Sequence, residues 1–258
     1  LSGYTGSILR WQYRRNGGSW NNISNETATL NHTPAGSGTY EYRAVVRSGS
    51  CDEDYSSITT IIVNPESVGG SVTGGTTPIC LGSSTGDMTL SGHVGTVVKW
   101  QRRLGSGAWS DIANTTTTHN DTPPSAGTWY YRAQVQSGVC PPVYSGTRSV
   151  TVVTPSVGGT IIGGTTPLCP GVTTGTMTVS GPTGAVMRWE KRVDGGEWST
   201  ISNTTTQYSE IPSSSGTWEY RAFVQNAPCP GEYSSVRTIV VRPQYTAQDR
   251  KSTRLNSS

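Results

Sequence analysis

"WQRRLGSGAW", Trp100–Trp109, decides how this chain is read: two tryptophans enclose a glycine-bearing turn, with arginines beside the first. Such a pair holds a sugar or a stacked base, or it walls a small β-domain. The phrase recurs as "WQYRRNGGSW" (Trp11–Trp20) and "WEKRVDGGEW" (Trp189–Trp198), each 89 residues from the next. Cys51, Cys140 and Cys229 keep that interval, as do Arg43, Arg132 and Arg221. A period fixes the architecture before any single residue is interpreted. At about 90 residues each copy can carry its own core, so these are tandem domains rather than stacked solenoid units.

The ends of the copies follow from the same alignment. Leu1-Ser2-Gly3 matches Leu90-Ser91-Gly92 and Val179-Ser180-Gly181, so copy one is expected to be partial, lacking the counterpart of Ser67–Thr89. The copies are read as residues 1–65, 66–154 and 155–243, followed by a disordered tail, 244–258. Within that tail "DRKSTRLNSS" (Asp249–Ser258) matches no part of the repeat and resembles the in-frame translation of a sequencing-library adapter, so it is set aside as an artefact. That removes a net +2 from the formal +3 and, with it, the basis for a nucleic-acid partner.

Leu, Ile, Val and Phe make up 44 of 258 residues, about 17%, a proportion that warns of disorder. Disorder also needs high net charge and few aromatics, and this chain has eight tryptophans and twelve tyrosines. The aromatics supply the core volume, and a folded all-β chain is expected. "GTWYYRAQV" (Gly127–Val135) alternates, with Trp129, Tyr131, Ala133 and Val135 on one face. Its counterparts are Tyr40, Tyr42, Ala44, Val46 and Trp218, Tyr220, Ala222, Val224, so this face is the buried one. The opening phrase reads as a hairpin, because Asn16-Gly17 and Asp194-Gly195 are strong turn signals and Gly105-Ser106 fills the same slot. A two-residue turn pairs Tyr13 with Trp20, Arg102 with Trp109 and Lys191 with Trp198. It sets Trp11, Trp100 and Trp189 on that same face. Both tryptophans of each copy are therefore expected in the structural core, together with Tyr42, Tyr131 and Tyr220.

A strand-borne tryptophan followed by a penultimate strand of Gly-x-aromatic-x-Tyr form resembles an immunoglobulin-like β-sandwich. More narrowly, "SVGG", "GGTTPIC", "LSGHVGTVVKW" and "YRAQVQSGVC" resemble the Ig-like tandem repeats of large exported surface proteins of gliding bacteria, which often precede a type IX secretion sorting domain. The resemblance implies an extracellular or cell-surface location and a role as adhesin, stalk or spacer. Only Thr154 and Pro155 separate the last strand of copy two from the opening of copy three, and an Ig-like sandwich carries its termini at opposite ends, so the copies are expected end to end as a monomeric rod. It supplies no catalytic residues and no cofactor.

Each complete copy has two cysteines, Cys80 with Cys140 and Cys169 with Cys229, while Cys51 is the second cysteine of the partial copy. An even number per copy fits an oxidising compartment. Bonding within a copy is the usual arrangement of a self-contained small domain. However, Cys80 precedes the second strand and Cys140 follows the penultimate one, points at opposite ends of a simple sandwich. Bonding between copies, Cys80 with Cys229, is the alternative. No CxxC or Cys/His cluster points to a metal.

Chemistry is scarce elsewhere. His32, His93 and His119 fall at three different positions of the repeat, and none sits in a catalytic triad pattern. "CDEDY" (Cys51–Tyr55) groups Asp52, Glu53 and Asp54, but the matching "CPPVY" and "CPGEY" lack the carboxylates, so a solvated loop is expected. The sequons at Asn22, Asn25, Asn114 and Asn203 are ascribed to an Asn- and Thr-rich composition. Two functions follow: a non-enzymatic structural or adhesive spacer with an unidentified protein or polysaccharide ligand, or a carbohydrate-binding array using Tyr144 and Tyr233. Neither involves membrane insertion.

Overall fold

Alternating side chains and positive-φ turns leave no room for helices, and every regular element of the computed structural model, which describes residues 1–244, is a strand. The adapter-like Asp249–Ser258 and the rest of the tail beyond 244 lie outside the described residues. Copy one carries β1 (Ser7–Arg15), β2 (Asn21–Ile23), β3 (Gly38–Arg47), β4 (Asp54–Tyr55) and β5 (Thr59–Val63). Copy two opens with β6 (Ser71–Gly74), β7 (Ile79–Cys80), β8 (Met88–Ser91), β9 (Thr96–Leu104) and β10 (Ser110–Ile112). It continues with β11 (Thr118–His119), β12 (Gly127–Gln136), β13 (Val143–Tyr144) and β14 (Arg148–Val153). Copy three opens with β15 (Thr160–Gly163), β16 (Met177–Ser180), β17 (Ala185–Val193) and β18 (Ser199–Ile201). Its last strands are β19 (Gln207–Tyr208), β20 (Gly216–Gln225), β21 (Glu232–Tyr233) and β22 (Arg237–Val241).

The chain forms two compact units whose boundaries fall inside copy two. One holds Leu1–Gly75, Gly86–Asn120 and Trp129–Ser149; the other holds Thr76–Thr85, Asp121–Thr128 and the described chain from Val150 to residue 244. In the second unit copy three is a two-sheet antiparallel sandwich. The sheet β15-β16-β19 faces the sheet β18-β17-β20, with β21 and β22 along opposite halves of β20. Trp189, Tyr220, Ala222, Val224, Met177 and Ile239 form its centre, each 0% exposed. The same unit holds a parallel pair, β14 with β7, in which Val153 lies beside Cys80.

In the first unit copy one forms a single sheet, β2-β1-β3, with β4 and β5 along opposite halves of β3. From copy two come the sheet β6-β8-β11 and the run β10-β9-β12-β13. The aromatic-Tyr-Ala-Val face is buried as read in copies two and three. In copy one Val46 is half-buried while its neighbour Val45 is closed off, next to the register shift between Ile8 and Arg10.

Glycines allow one close approach. A Cβ on Gly158 would sit 2.0 Å from the Tyr233 carbonyl oxygen, and one on Gly69 would sit 2.0 Å from that of Tyr144. The "VGG" opening of copies two and three is thus laid on its own copy's penultimate hairpin.

The turn at the head of each copy is also as read. Asn16 and Gly17 have φ of 51° and 69°, and Gly18 N–H donates to the Arg15 carbonyl at 3.0 Å. The returning strand then takes one extra residue. Tyr13 pairs with Asn21 rather than Trp20, Arg102 with Ser110, and Lys191 with Ser199. A one-residue slip moves every later side chain to the opposite face. Trp20, Trp109 and Trp198 are therefore not core: they lie half-buried on the outer face, while Trp100 and Trp189 are 0% exposed on the inner one. Tyr13 stacks on Tyr40 and Tyr42 instead, and Arg102 and Lys191 lie over Trp129 and Trp218.

Candidate functional site

The cysteines are the first place where the structure overturns the expectation of bonding within a copy. Cys80 is bonded to Cys229, with their Cα atoms 4.9 Å apart, and Cys51, Cys140 and Cys169 carry no disulfide. The reason is visible in copy three. Leu168 bridges in parallel to Val241, which itself pairs with Gly216, the first residue of β20. Cys169 thus sits at that end of the sandwich. Cys229 follows the other end of β20, in a turn closed by its N–H to the Asn226 carbonyl at 2.9 Å. A ten-residue strand separates the two. That is roughly 30 Å, far beyond the Cα spacing of about 4.4–6.8 Å that a disulfide tolerates.

What Cys229 does meet is the segment leading into its own copy. Its Sγ lies 3.4 Å from the Thr154 carbonyl oxygen. The Asn226 N–H donates to Ser156 Oγ at 2.9 Å, and Asn226 Nδ2 donates to the Thr154 carbonyl at 2.8 Å. The Leu81 N–H donates to the Val153 carbonyl at 2.9 Å, so Cys80 is held beside the same segment. First cysteine of copy two, connecting residues and second cysteine of copy three converge on one junction. The bond closes a loop of 149 residues, worth about 5 kcal/mol on the chain-entropy model.

The outer face carries a second repeated construction. In copy one the Arg43 guanidinium lies 4.0 Å from the Trp20 ring centre and 3.8 Å from that of Tyr55, and the Arg14 guanidinium lies 4.7 Å from the Trp20 ring centre. Copy two repeats it with Arg103, Trp109, Arg132 and Tyr144 at 4.6, 4.0 and 3.7 Å. Copy three does so with Arg192, Trp198, Arg221 and Tyr233 at 4.6, 4.1 and 3.8 Å. Each central arginine is aimed by the residue after the inner tryptophan: its Nε donates to Gln12, Gln101 or Glu190 at 2.9, 2.8 and 2.8 Å. Arg14 and Arg192 are tied to Glu41 and Glu219, each at 2.7 Å. Each contact contributes about 0.5–2 kcal/mol, and the ladder crosses from the tryptophan just before β2, β10 or β18 to the tyrosine in β4, β13 or β21. It clamps each sheet edge to edge.

Copy three adds charge. Glu190, 5% exposed, accepts from Arg188 and Arg221 at 2.7 Å each. Burial by itself raises its pKa, but those two arginine hydrogen bonds outweigh it and hold the carboxyl below its ordinary value. On the inner face Glu210 accepts from Tyr220 (2.6 Å), Tyr208 (2.9 Å) and Lys191 (2.5 Å). Burial first, then the Glu210 carboxylate, pushes both tyrosines far above the phenol range, so they remain donors. In copy one the matching position is His32, whose Nδ1 lies 3.0 Å from the Tyr42 hydroxyl. His119 takes the place of Tyr208 and lies against Trp100 and Tyr131. These two histidines thus occupy positions in the inner-face packing.

Sequence reasoning missed the role of the Asn-x-Thr loops. Asn25, Asn114 and Asn203 each accept from the N–H two residues on, at 2.7–2.8 Å, and donate from Nδ2 to a carbonyl four residues on. The turn so formed presents the carbonyls of Thr27, Thr116 and Thr205 to the indole N–H of Trp11, Trp100 and Trp189 at 2.9–3.0 Å. A buried indole N–H needs such an acceptor. Tyr144 and Tyr233 are ladder rungs rather than free platforms, and Glu53 is paired with Arg10 at 2.7 Å. Among the described residues no group of three His, Cys, Asp or Glu side chains is placed to hold a metal ion, and no helix is long and apolar enough to cross a membrane.

A family model described as "Domain of unknown function (DUF8696)" matches residues 1–65, 68–154 and 157–243. The chain belongs to this family. Its three DUF8696 copies are tandem immunoglobulin-like domains. No curated protein is similar to the chain. Among solved structures, a stretch of three titin domains is 13% identical, covering 94% of this chain and 91% of that one at a TM-score of 0.44. The FN1-FN3 domains of chicken CNTN1 are 9% identical, covering 92% and 90% at a TM-score of 0.35.

Proposed function

We propose that the chain is a non-enzymatic spacer, an array of Ig-like domains in a secreted or cell-surface protein that holds other parts at a distance. The observation that carries this reading is the Cys80–Cys229 bond, which spends a covalent link on joining neighbouring copies instead of closing each one. A disulfide fits an oxidising, extracellular setting, and the ladders and junction hydrogen bonds likewise serve to hold domains. Pro155 fixes its own φ in a connection of few residues. An adhesive role, and a type IX export route, belong to the same proposal and rest on the family resemblance alone.

Small-angle scattering on the full chain under oxidising conditions tests the spacer. Domains about 35 Å long, set by strands of about ten residues, should give an elongated distance distribution. A compact, globular distribution would overturn it. The carbohydrate reading is not adopted, because Tyr144 and Tyr233 each carry an arginine guanidinium, Arg132 or Arg221, stacked over the ring. Retention of the chain on a polysaccharide column, lost on Tyr144→Ala and Tyr233→Ala, would restore it.

A further inference from the structure

We propose that the first cysteine of each copy bonds to the second cysteine of the next, and that Cys140 and Cys169 are open halves of such staples, each built to take a further tandem copy of this same repeat. The seat of Cys140 in the first unit matches that of Cys229 in the second, contact by contact. Cys140 Sγ lies 3.4 Å from the Pro65 carbonyl oxygen, as Cys229 Sγ lies 3.4 Å from that of Thr154. The Ser137 N–H donates to Ser67 Oγ at 3.0 Å, as Asn226 donates to Ser156 at 2.9 Å. Gln136 Nε2 and Gln225 Nε2 each donate to the carbonyl of their cysteine at 3.0 Å. The difference is cover: Cys229, bonded, is 0% exposed, whereas Cys140 is half-buried.

Cys169 repeats the other half. Leu168 bridges in parallel to Val241 as Ile79 does to Val152, which sets Cys169 at the end of its sandwich as Cys80 is set at the end of β14. The period then names the missing partners. That of Cys140 falls 89 residues ahead of Cys80 and that of Cys169 falls 89 residues beyond Cys229, and the sequence Leu1–Ser258 has a residue at neither position. The same holds for Cys51. Every cysteine without a disulfide is one whose partner under this rule lies outside the sequence, which pairing within a copy does not explain for Cys140 and Cys169. The staple stands whether or not the array serves as a spacer.

Closing a staple forms one S–S bond from two thiols and releases two protons and two electrons. Oxidised glutathione is a suitable acceptor. One cysteine thiolate attacks it and expels a glutathione thiolate; the second cysteine thiolate then displaces the other, leaving the protein disulfide and two reduced glutathiones.

Grafting a copy of Ser67–Thr89 ahead of Leu1 in the full chain supplies a cysteine at the Cys80 position of copy one. After oxidation with glutathione and non-reducing peptide mapping, the grafted cysteine should be linked to Cys140, with Cys80–Cys229 retained. A link from the graft to Cys51, or a grafted cysteine that stays open to alkylation in the folded protein, would overturn the proposal. If the graft does not fold, a copy of 155–243 inserted after Pro243 tests the other end. Cys169 should then bond to the second cysteine of the added copy, and an alkylatable Cys169 overturns the rule. In the ungrafted chain Cys229→Ser should leave Cys80 alkylatable, and its capture by Cys140 would contradict the rule.

Discussion

Copies one and three share the opening phrase, the turn and the outer ladder, yet their inner faces differ. In copy three Ile239 is 0% exposed beneath the sheet β15-β16-β19; its counterpart Ile61 is 48% exposed. Trp189 is closed off, while Trp11 is half-buried along a cleft of about 350 Å³ lined also by Leu1, His32, Tyr42 and Ile61. Equivalent strands therefore build the same sheet in both places, and the second layer decides how far its inner face is closed off. The outer ladder needs no second layer, which is why Arg14, Trp20, Arg43 and Tyr55 stack as their counterparts do.

The inner tryptophan should show the largest contrast. Trp189→Ala should destabilise its unit by about 3–5 kcal/mol, while Trp11→Ala, half-covered from the start, should cost about 1–2 kcal/mol. Denaturant melts of the two variants followed by circular dichroism check this, and equal losses would break the comparison. Next is Glu190→Ala, which strands Arg188 and Arg221 around a buried gap and should cost about 3 kcal/mol. The matching Gln12→Ala in copy one should cost about 1–2 kcal/mol, for the hydrogen bonds accepted from Arg43 and donated to Asn22. Trp198→Ala and Trp20→Ala sharpen the comparison from the other side. Each removes two cation–π contacts from an equivalent ladder, and the two losses should agree at about 1–2 kcal/mol.

The smallest effect is acid sensitivity. Glu190 has a folded pKa below its unfolded value, so its contribution is present above the unfolded pKa of about 4.3 and fades as pH falls through the depressed folded value. Glu190→Gln, the residue that copies one and two use there, should flatten the stability of copy three between neutral pH and that acidic range. A melting profile against pH that is unchanged by the substitution would show that the arginines do not stabilise the ionised form.

Much of this was legible in the residues, and the parts that were not have identifiable causes. The period, the turn at Asn16-Gly17 and the aromatic-Tyr-Ala-Val face rest on patterns that survive any register. The ladder was hidden by a single extra residue in the returning strand, for which Gly18-Ser19 carries no signature. Counting parity from Arg43 and Gln12 offered a way in, since both had to point away from Trp11. The threonine carbonyls that hold the indoles are backbone atoms and leave no side-chain trace, although an Asn-x-Thr turn at the same place in every copy was a sign of local design. The disulfide turned on which end of a strand each cysteine occupies. The objection that Cys80 and Cys140 stand at opposite ends was already the right argument.

Pulling the full chain by its ends, with and without a reductant, tests the central claim most directly. With the Cys80–Cys229 bond intact, the enclosed 149 residues cannot extend. Reduction should therefore add a single large gain in contour length of roughly 500 Å, at about 3.6 Å per residue. Two smaller gains of roughly 200 Å each, from 60-residue loops closed by Cys80–Cys140 and Cys169–Cys229, would contradict the stapled junction.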